Sequence, residues 1–166
     1  VAVTGFSNID GAVYHFEEDG SLTVGAAEID GSSYYFGNDG KMKTGFVNID
    51  QSQYYFDSEG RMTTGWQKIN DKWYYMSGNG VMQTGWQQIG GTWYYFEGSG
   101  AMVTGWQKIS GEWYYFNGEG HLLTGLQKVN GYWYYFNTKS GKMLTGFQTI
   151  PYAANDSTPK KVYFDA

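Results

Sequence analysis

TGWQQIGGTWYYFEGSG, residues 84–100, decides the fold. Two short apolar runs flank Gly90-Gly91, and a polar glycine loop follows. Two alternating runs separated by two residues that tolerate positive φ read as a β-hairpin closed by a type I′ turn. The stretch holds two tryptophans and two tyrosines but no plausible nucleophile, base or metal ligand. Its rings therefore need an explanation other than bond-making chemistry.

The same pattern recurs every 20 residues. Thr-Gly stands at 4, 44, 64, 84, 104 and 124, Val24-Gly25 fills the gap, and Thr145-Gly146 is displaced by one residue. The displacement comes from the loop NTKSG, which is one residue longer than NGEG or EGSG. Ile9, Ile29, Ile49, Ile69, Ile89, Ile109, Val129 and Ile150 hold one position in every unit. The turns between runs are Asp10-Gly11, Asp30-Gly31, Asp50-Gln51, Asn70-Asp71, Gly90-Gly91, Ser110-Gly111 and Asn130-Gly131. An isolated hairpin is marginal in water, so these units must stack. The expectation is an all-β solenoid of about seven stacked hairpins, one repeat domain over 1–166, with units starting near 4, 24, 44, 64, 84, 104, 124 and 145. The last unit is irregular: PYAANDSTPK replaces the tight turn before Val162-Tyr163-Phe164, which reads as a longer loop in a terminal hairpin.

Composition agrees with a fold built on rings. Aromatic residues make up 20% of the chain and glycine supplies 25 of 166 positions, whereas ordinary cores rest on Leu, Ile and Val. The net charge of -5 and the lack of clustered Lys and Arg exclude nucleic acid as a partner. Acidity is concentrated in residues 1–85, with 11 carboxylates against 5 basic residues. There is no cysteine, hence no disulfide or thiolate site, and no apolar run of about 18 residues for a membrane span. The first residues do not read as a signal peptide, and the chain starts inside a repeat, as an excised fragment does.

Strand alternation separates scaffold from site. In WYYF the first Tyr and the Phe share one face. Tyr14, Tyr34, Tyr54, Tyr74, Tyr94, Tyr114 and Tyr134, with Phe16, Phe36, Phe56, Met76, Phe96, Phe116 and Phe136, barely vary and read as packing. The opposite face does vary: its Trp position runs Val13, Ser33, Gln53, Trp73, Trp93, Trp113, Trp133. The position after Thr-Gly runs Phe6, Ala26, Phe46, Trp66, Trp86, Trp106, Leu126, Phe147. A site that accepts Ser in one unit and Trp in another is not required for folding. Three units carry both tryptophans: Trp66 with Trp73, Trp86 with Trp93, and Trp106 with Trp113. A tyrosine of the next hairpin, Tyr95, Tyr115 or Tyr135, is expected to close a third side, with Met82, Met102 and Leu122 as an apolar floor. Three ring faces around a small void attract a quaternary ammonium. They also suit the apolar face of a sugar, or simply seal the gap between hairpins.

The repeated TGWQKINDKWYYMSGNGVMQTGW resembles the choline-binding, or cell-wall-binding, repeats of Gram-positive surface proteins and cell-wall hydrolases, over essentially the whole chain. The resemblance implies a left-handed superhelix of hairpins and choline held by two aromatics of one hairpin and one of the next. On this sequence that gives Trp66, Trp73 and Tyr95; Trp86, Trp93 and Tyr115; and Trp106, Trp113 and Tyr135. It further implies a non-catalytic attachment module at the bacterial cell surface, holding choline moieties of teichoic acid through several weak sites made strong by multivalency. Stretches such as IDGSSYYFGNDGKMKTGF are closer to the glucan-binding repeats of glucansucrases and the receptor-binding repeats of clostridial toxins, because the cage tryptophans are missing. Binding of a glucan, peptidoglycan or host glycan, and a spacer role, therefore stay open beside choline, as does homodimerisation. An enzyme is not expected: His15 and His121 fall at unrelated positions, and no cofactor is implied. The loops EEDG and NDGK lack EF-hand spacing and lie where turns call for Asp, Asn and Gly, so no metal site is expected.

Overall fold

A computed structural model describes residues 3–150 and 160–165. The described residues form strands and turns and no helix, in two compact units, Val1–Gln83 and Thr84–Ala166. The first unit holds β1 (Gly5–Ile9), β2 (Ala12–Phe16), β3 (Gly25–Ile29), β4 (Ser32–Phe36), β5 (Gly45–Ile49), β6 (Ser52–Phe56), β7 (Gly65–Ile69) and β8 (Lys72–Met76). The second holds β9 (Gly85–Ile89), β10 (Thr92–Phe96), β11 (Gly105–Ile109), β12 (Glu112–Phe116), β13 (Gly125–Val129), β14 (Tyr132–Phe136), β15 (Met143–Leu144), β16 (Gly146–Ile150) and β17 (Lys160–Phe164). From β1 to β14 each odd strand pairs antiparallel with the next, β15 adds to β14, and β16 pairs antiparallel with β17. The result is the expected run of hairpins with an eighth, irregular one at the end. The loop expected at 151–160 lies, but for its last residue, outside the described residues.

The turns explain why each hairpin closes where it does. Both central residues have positive φ: 58° and 85° at Gly90-Gly91, 48° and 62° at Asn70-Asp71, 47° and 68° at Asp50-Gln51. This is the type I′ geometry whose twist matches that of the flanking strands. Register follows from it, with Ile89 opposite Thr92 and Gly85 opposite Phe96.

Stacking within each unit uses both backbone and rings. Within the units, four residues at the Met position of the Gly-x-Met segments donate their N–H groups to the carbonyl at the Trp position of the preceding hairpin: Met42 to Val13 at 2.8 Å, Met62 to Ser33 at 2.7 Å, Met82 to Gln53 at 2.7 Å, and Leu122 to Trp93 at 3.0 Å. Because the contact is made by backbone, the side chain at that position is free to differ between units. A glycine of the following loop caps Met42, Met62 and Leu122; a Cβ on Gly141 would stand 2.6 Å from Leu122 Cδ2.

The core is the row of Phe companions. Phe36, Met76, Phe96, Phe116 and Phe136 are fully buried. Within the units such a ring meets the opposite face of the hairpin before it: Phe36 meets Phe6 at 6.4 Å, Phe116 meets Trp86 at 5.7 Å and Phe136 meets Trp106 at 5.8 Å. Burying one such ring contributes about 1.5–3 kcal/mol. The C-terminal hairpin closes with a different cluster, Tyr135, Ile150 and Phe164, flanked by Leu144 and Val162.

Candidate ligand-binding site

The two tryptophans of a unit meet because of the register. Trp86 lies opposite Tyr95, and Trp93 is two residues from Tyr95, so the indoles are diagonal neighbours on one face. Their centroids lie 6.3 Å apart with planes at 81°, and Trp106–Trp113 (6.2 Å, 89°) and Trp66–Trp73 (6.2 Å, 90°) repeat the arrangement. One indole of each pair is partly covered; the other stands out, Trp93 at 41% exposure. Two perpendicular ring walls result.

The third wall comes from the first tyrosine of the next hairpin. Tyr114 lies 4.9 Å from Trp86, and Tyr134 lies 4.8 Å from Trp106. The sequence reading had assigned Tyr115 and Tyr135 to these places. Instead Tyr95 and Tyr115 back the tryptophans of their own hairpins, 5.2 Å from Trp86 and 5.1 Å from Trp106. Tyr135 is buried against Phe164, 6.0 Å away. The reason is the direction of stacking. The Trp face of one hairpin touches the Tyr/Phe face of the next, as Trp86 touches Tyr114 and Phe116 and Trp106 touches Tyr134 and Phe136. The near-invariance of the first tyrosine, read as packing alone, was the available signal; Tyr114 packs with one edge and walls the site as well.

Trp86, Trp93, Tyr114 and Leu122 line a cavity of about 220 Å³, together with Lys139 and Ser140. Leu122 is held at the floor by its backbone bond to Trp93. Met82, by the same backbone contact, serves the interface after Gln53, where no tryptophan stands. Met102 pairs with Phe96 across a single bridge and is capped by Gly120. Lys139 and Ser140 were not anticipated as site residues, although the longer NTKSG loop that carries them was visible.

At about 220 Å³ the cavity lies below the usual range of drug-sized pockets and suits one compact head group. The tryptophan faces already attract cations within the protein: Lys108 Nζ sits 5.8 Å over Trp113, and Lys128 Nζ 5.8 Å over Trp133. Trp93 carries no such lysine, because its cross-strand partner is Gln88. The histidines serve structure. His15 shares a 2.7 Å hydrogen bond with Thr23 Oγ1, and His121 meets the Tyr94 ring edge-on at 5.4 Å.

The profile of the choline-binding repeat matches residues 3–44, 43–83, 63–105, 83–124 and 103–147. The chain belongs to the choline-binding repeat family. A structure of choline binding protein F from Streptococcus pneumoniae, in the presence of a tetrasaccharide-pentapeptide peptidoglycan analogue, is 39% identical with a TM-score of 0.82. The match covers 87% of this chain and 53% of that one. A second crystal form gives 37% identity and a TM-score of 0.84 over 96% of this chain and 57% of that one. CbpJ, also from Streptococcus pneumoniae, is 30% identical with a TM-score of 0.84, over 96% and 66%. No curated protein sequence matches the chain. This repeat array thus spans little more than half the length of choline binding protein F.

Proposed function

We propose that the chain, 1–166 taken as one module, is a non-catalytic attachment device that holds choline-bearing wall polymers at the outer surface of a Gram-positive bacterium. The observation that carries this reading is the Trp86–Trp93–Tyr114 cavity over Leu122, three π faces around a space for one head group. Each ring contributes about 0.5–2 kcal/mol toward a quaternary ammonium. A second cage of the same geometry stands at Trp106, Trp113 and Tyr134. Two or more weak sites on one stack of hairpins raise the effective concentration of a polymer bearing many cholines. Choline binding protein F, a relative, carries the same ligand in its name.

The test is tryptophan fluorescence during titration with choline and with soluble glucan oligosaccharides, on the chain and on Trp86→Ala/Trp93→Ala. Loss of two rings weakens that site by about tenfold or more, so the choline response loses amplitude. A glucan response without a choline response places the chain among carbohydrate binders instead.

That second reading is favoured at one place. Between β3–β4 and β5–β6 the missing tryptophans leave a larger cavity of about 330 Å³, lined among others by Ala26, Glu28, Ser33, Tyr34, Tyr54 and Met62. Its tyrosine faces and polar Glu28 and Ser33 suit a saccharide better than a lone cation. A glucan response that persists in Trp86→Ala/Trp93→Ala and is lost in Tyr54→Ala supports it.

A further inference from the structure

One place in the repeat is shared by leucine and methionine. It reads Leu22, Met42, Met62, Met82, Met102, Leu122 and Met143, so the hairpins stack with or without sulfur there. The two side chains have similar volumes and exchange at small cost in packing. What the thioether adds is chemistry, because its sulfur can give an electron pair to an oxidant and a leucine methyl cannot.

The surroundings of Met62 make that chemistry selective. Met62 lines the cavity of about 330 Å³ between β3–β4 and β5–β6 and is partly exposed, whereas Met82 is buried. A water molecule takes up about 30 Å³ in the liquid, so a small hydroperoxide has room in this cavity. The backbone keeps the residue in place: the Met62 N–H donates to the Ser33 carbonyl at 2.7 Å, and a bridge joins Met62 to Phe56.

The sulfur has one closed side. Gly80 packs against it: of all side-chain atoms, Met62 Sδ lies nearest to where a Cβ on Gly80 would stand, and Cε lies 2.8 Å from that point. A side chain as small as a methyl does not fit there, and neither does an added oxygen. Such an oxygen would also lack a partner, since the Gly80 N–H already donates to the Ser77 carbonyl at 2.9 Å. The cavity offers the opposite conditions. Ser33, Tyr34 and Tyr54, which line it with Met62, carry hydroxyl groups able to donate to a sulfoxide oxygen.

We propose that Met62 Sδ turns its open side to this cavity and is a site of reversible oxidation by small hydroperoxides, yielding a single sulfoxide epimer. The sulfur lone pair attacks the terminal peroxide oxygen, the O–O bond breaks and an S–O bond forms. The proton of the transferred oxygen passes to the departing one. Sulfur loses two electrons, and the hydroperoxide leaves as an alcohol, or as water when it is hydrogen peroxide. Each sulfoxide epimer has its own reductase, so the step can be undone. The cavity wall thereby alternates between an apolar thioether and a strong hydrogen-bond acceptor. The proposal is independent of the cages.

The test treats the full folded chain with dilute hydrogen peroxide, samples it over time, digests it and localises added oxygen by fragmentation mass spectrometry. Met62 is expected to gain oxygen several-fold faster than Met82. The Met62 peptide is then offered separately to the two epimer-specific methionine sulfoxide reductases; one is expected to restore it and the other to leave it oxidised. Chain oxidised in denaturant, where Gly80 no longer covers the sulfur, serves as the reference and should yield peptide that each enzyme restores in part. Oxidation of Met62 no faster than that of Met82 overturns the proposal. So does folded chain whose Met62 sulfoxide divides between the two reductases as it does after oxidation in denaturant.

Discussion

The two compact units share one scaffold and differ in what they hang on it. In both, Phe or Met companions are buried, the first tyrosine meets the preceding hairpin, and backbone bonds tie one hairpin to the next. The first three hairpins of residues 1–83 place Phe6 with Val13, Ala26 with Ser33, and Phe46 with Gln53 where the second unit places paired tryptophans. Phe6 still meets Tyr34 at 5.1 Å and Phe46 meets Tyr74 at 5.1 Å, so a single ring suffices for stacking. The second tryptophan is half exposed, and the first three hairpins stack without it.

The largest effect expected concerns what the units share. Phe116→Ala and Phe36→Ala each remove a fully buried ring and cost about 3–5 kcal/mol. Denaturant unfolding should show similar losses in both units; a mild loss at Phe36 would mean that the first unit stacks by other means.

The next prediction tries to erase the difference. Ala26→Trp/Ser33→Trp places two indoles beside Tyr54 and Met62, in a cavity of about 330 Å³ that has room for them. A new choline site of about 1–3 kcal/mol less than a native cage is expected, read as an added binding equivalent in calorimetry. Failure to bind despite a folded chain would show that the walls need more than the two rings.

A smaller contrast lies in the turns. In the first unit the loop N–H groups are accepted by Asp19, Asp39 and Asp57; in the second, Asn117 and Asn137 take that place. Hydrogen bonds to Ser21 hold Asp19, and the Lys41 N–H holds Asp39, below the usual aspartate value of 3.8. Partial burial pushes Asp57 up, but the Arg61 and Glu59 N–H groups and the Arg61 guanidinium outweigh it, and its value too is lowered. A lowered folded value stabilises the protein above the unfolded value and loses that contribution as pH falls below about 3.8. Acidification from pH 5 to 3 should therefore speed amide exchange in the loops of the first unit before those around Asn117 and Asn137. Equal sensitivity would remove the aspartates as its cause.

The smallest effect sharpens the turn argument. Asp71 adopts φ 62° in a type I′ turn where Gly stands in most units, and the left-handed region costs a non-glycine residue about 1 kcal/mol. Asp71→Gly should raise stability by roughly 0.5–1 kcal/mol, less whatever the Lys68–Asp71 pair at 3.5 Å contributes.

Much of this was legible in the residues. The 20-residue period, the two-residue turns and the alternation of WYYF specify hairpins, their register and the facing of each ring, because all three act over a few neighbouring residues. Contrast between units within one chain singled out Trp86, Trp93, Trp106 and Trp113. The third wall was misassigned, since alternation tells which face a tyrosine occupies but not which face the next hairpin presents to it. Lys139 was passed over for the same reason: its loop follows the β13–β14 hairpin and reaches a cavity between the two hairpins before it.

The sequence by itself determined the hairpin, its turn, the paired indoles and the buried Phe row, all consequences of short-range geometry and of periodic burial. Only the tertiary structure decided which faces of neighbouring hairpins meet, so that Tyr114 lies against Trp86 and Tyr134 against Trp106. It also decided that the one-residue insertion brings the Lys139 ammonium to the rim of the cavity lined by Trp86, Trp93 and Tyr114. Contacts between units depend on how one rigid hairpin lies against the next, and no local pattern of residues encodes that placement.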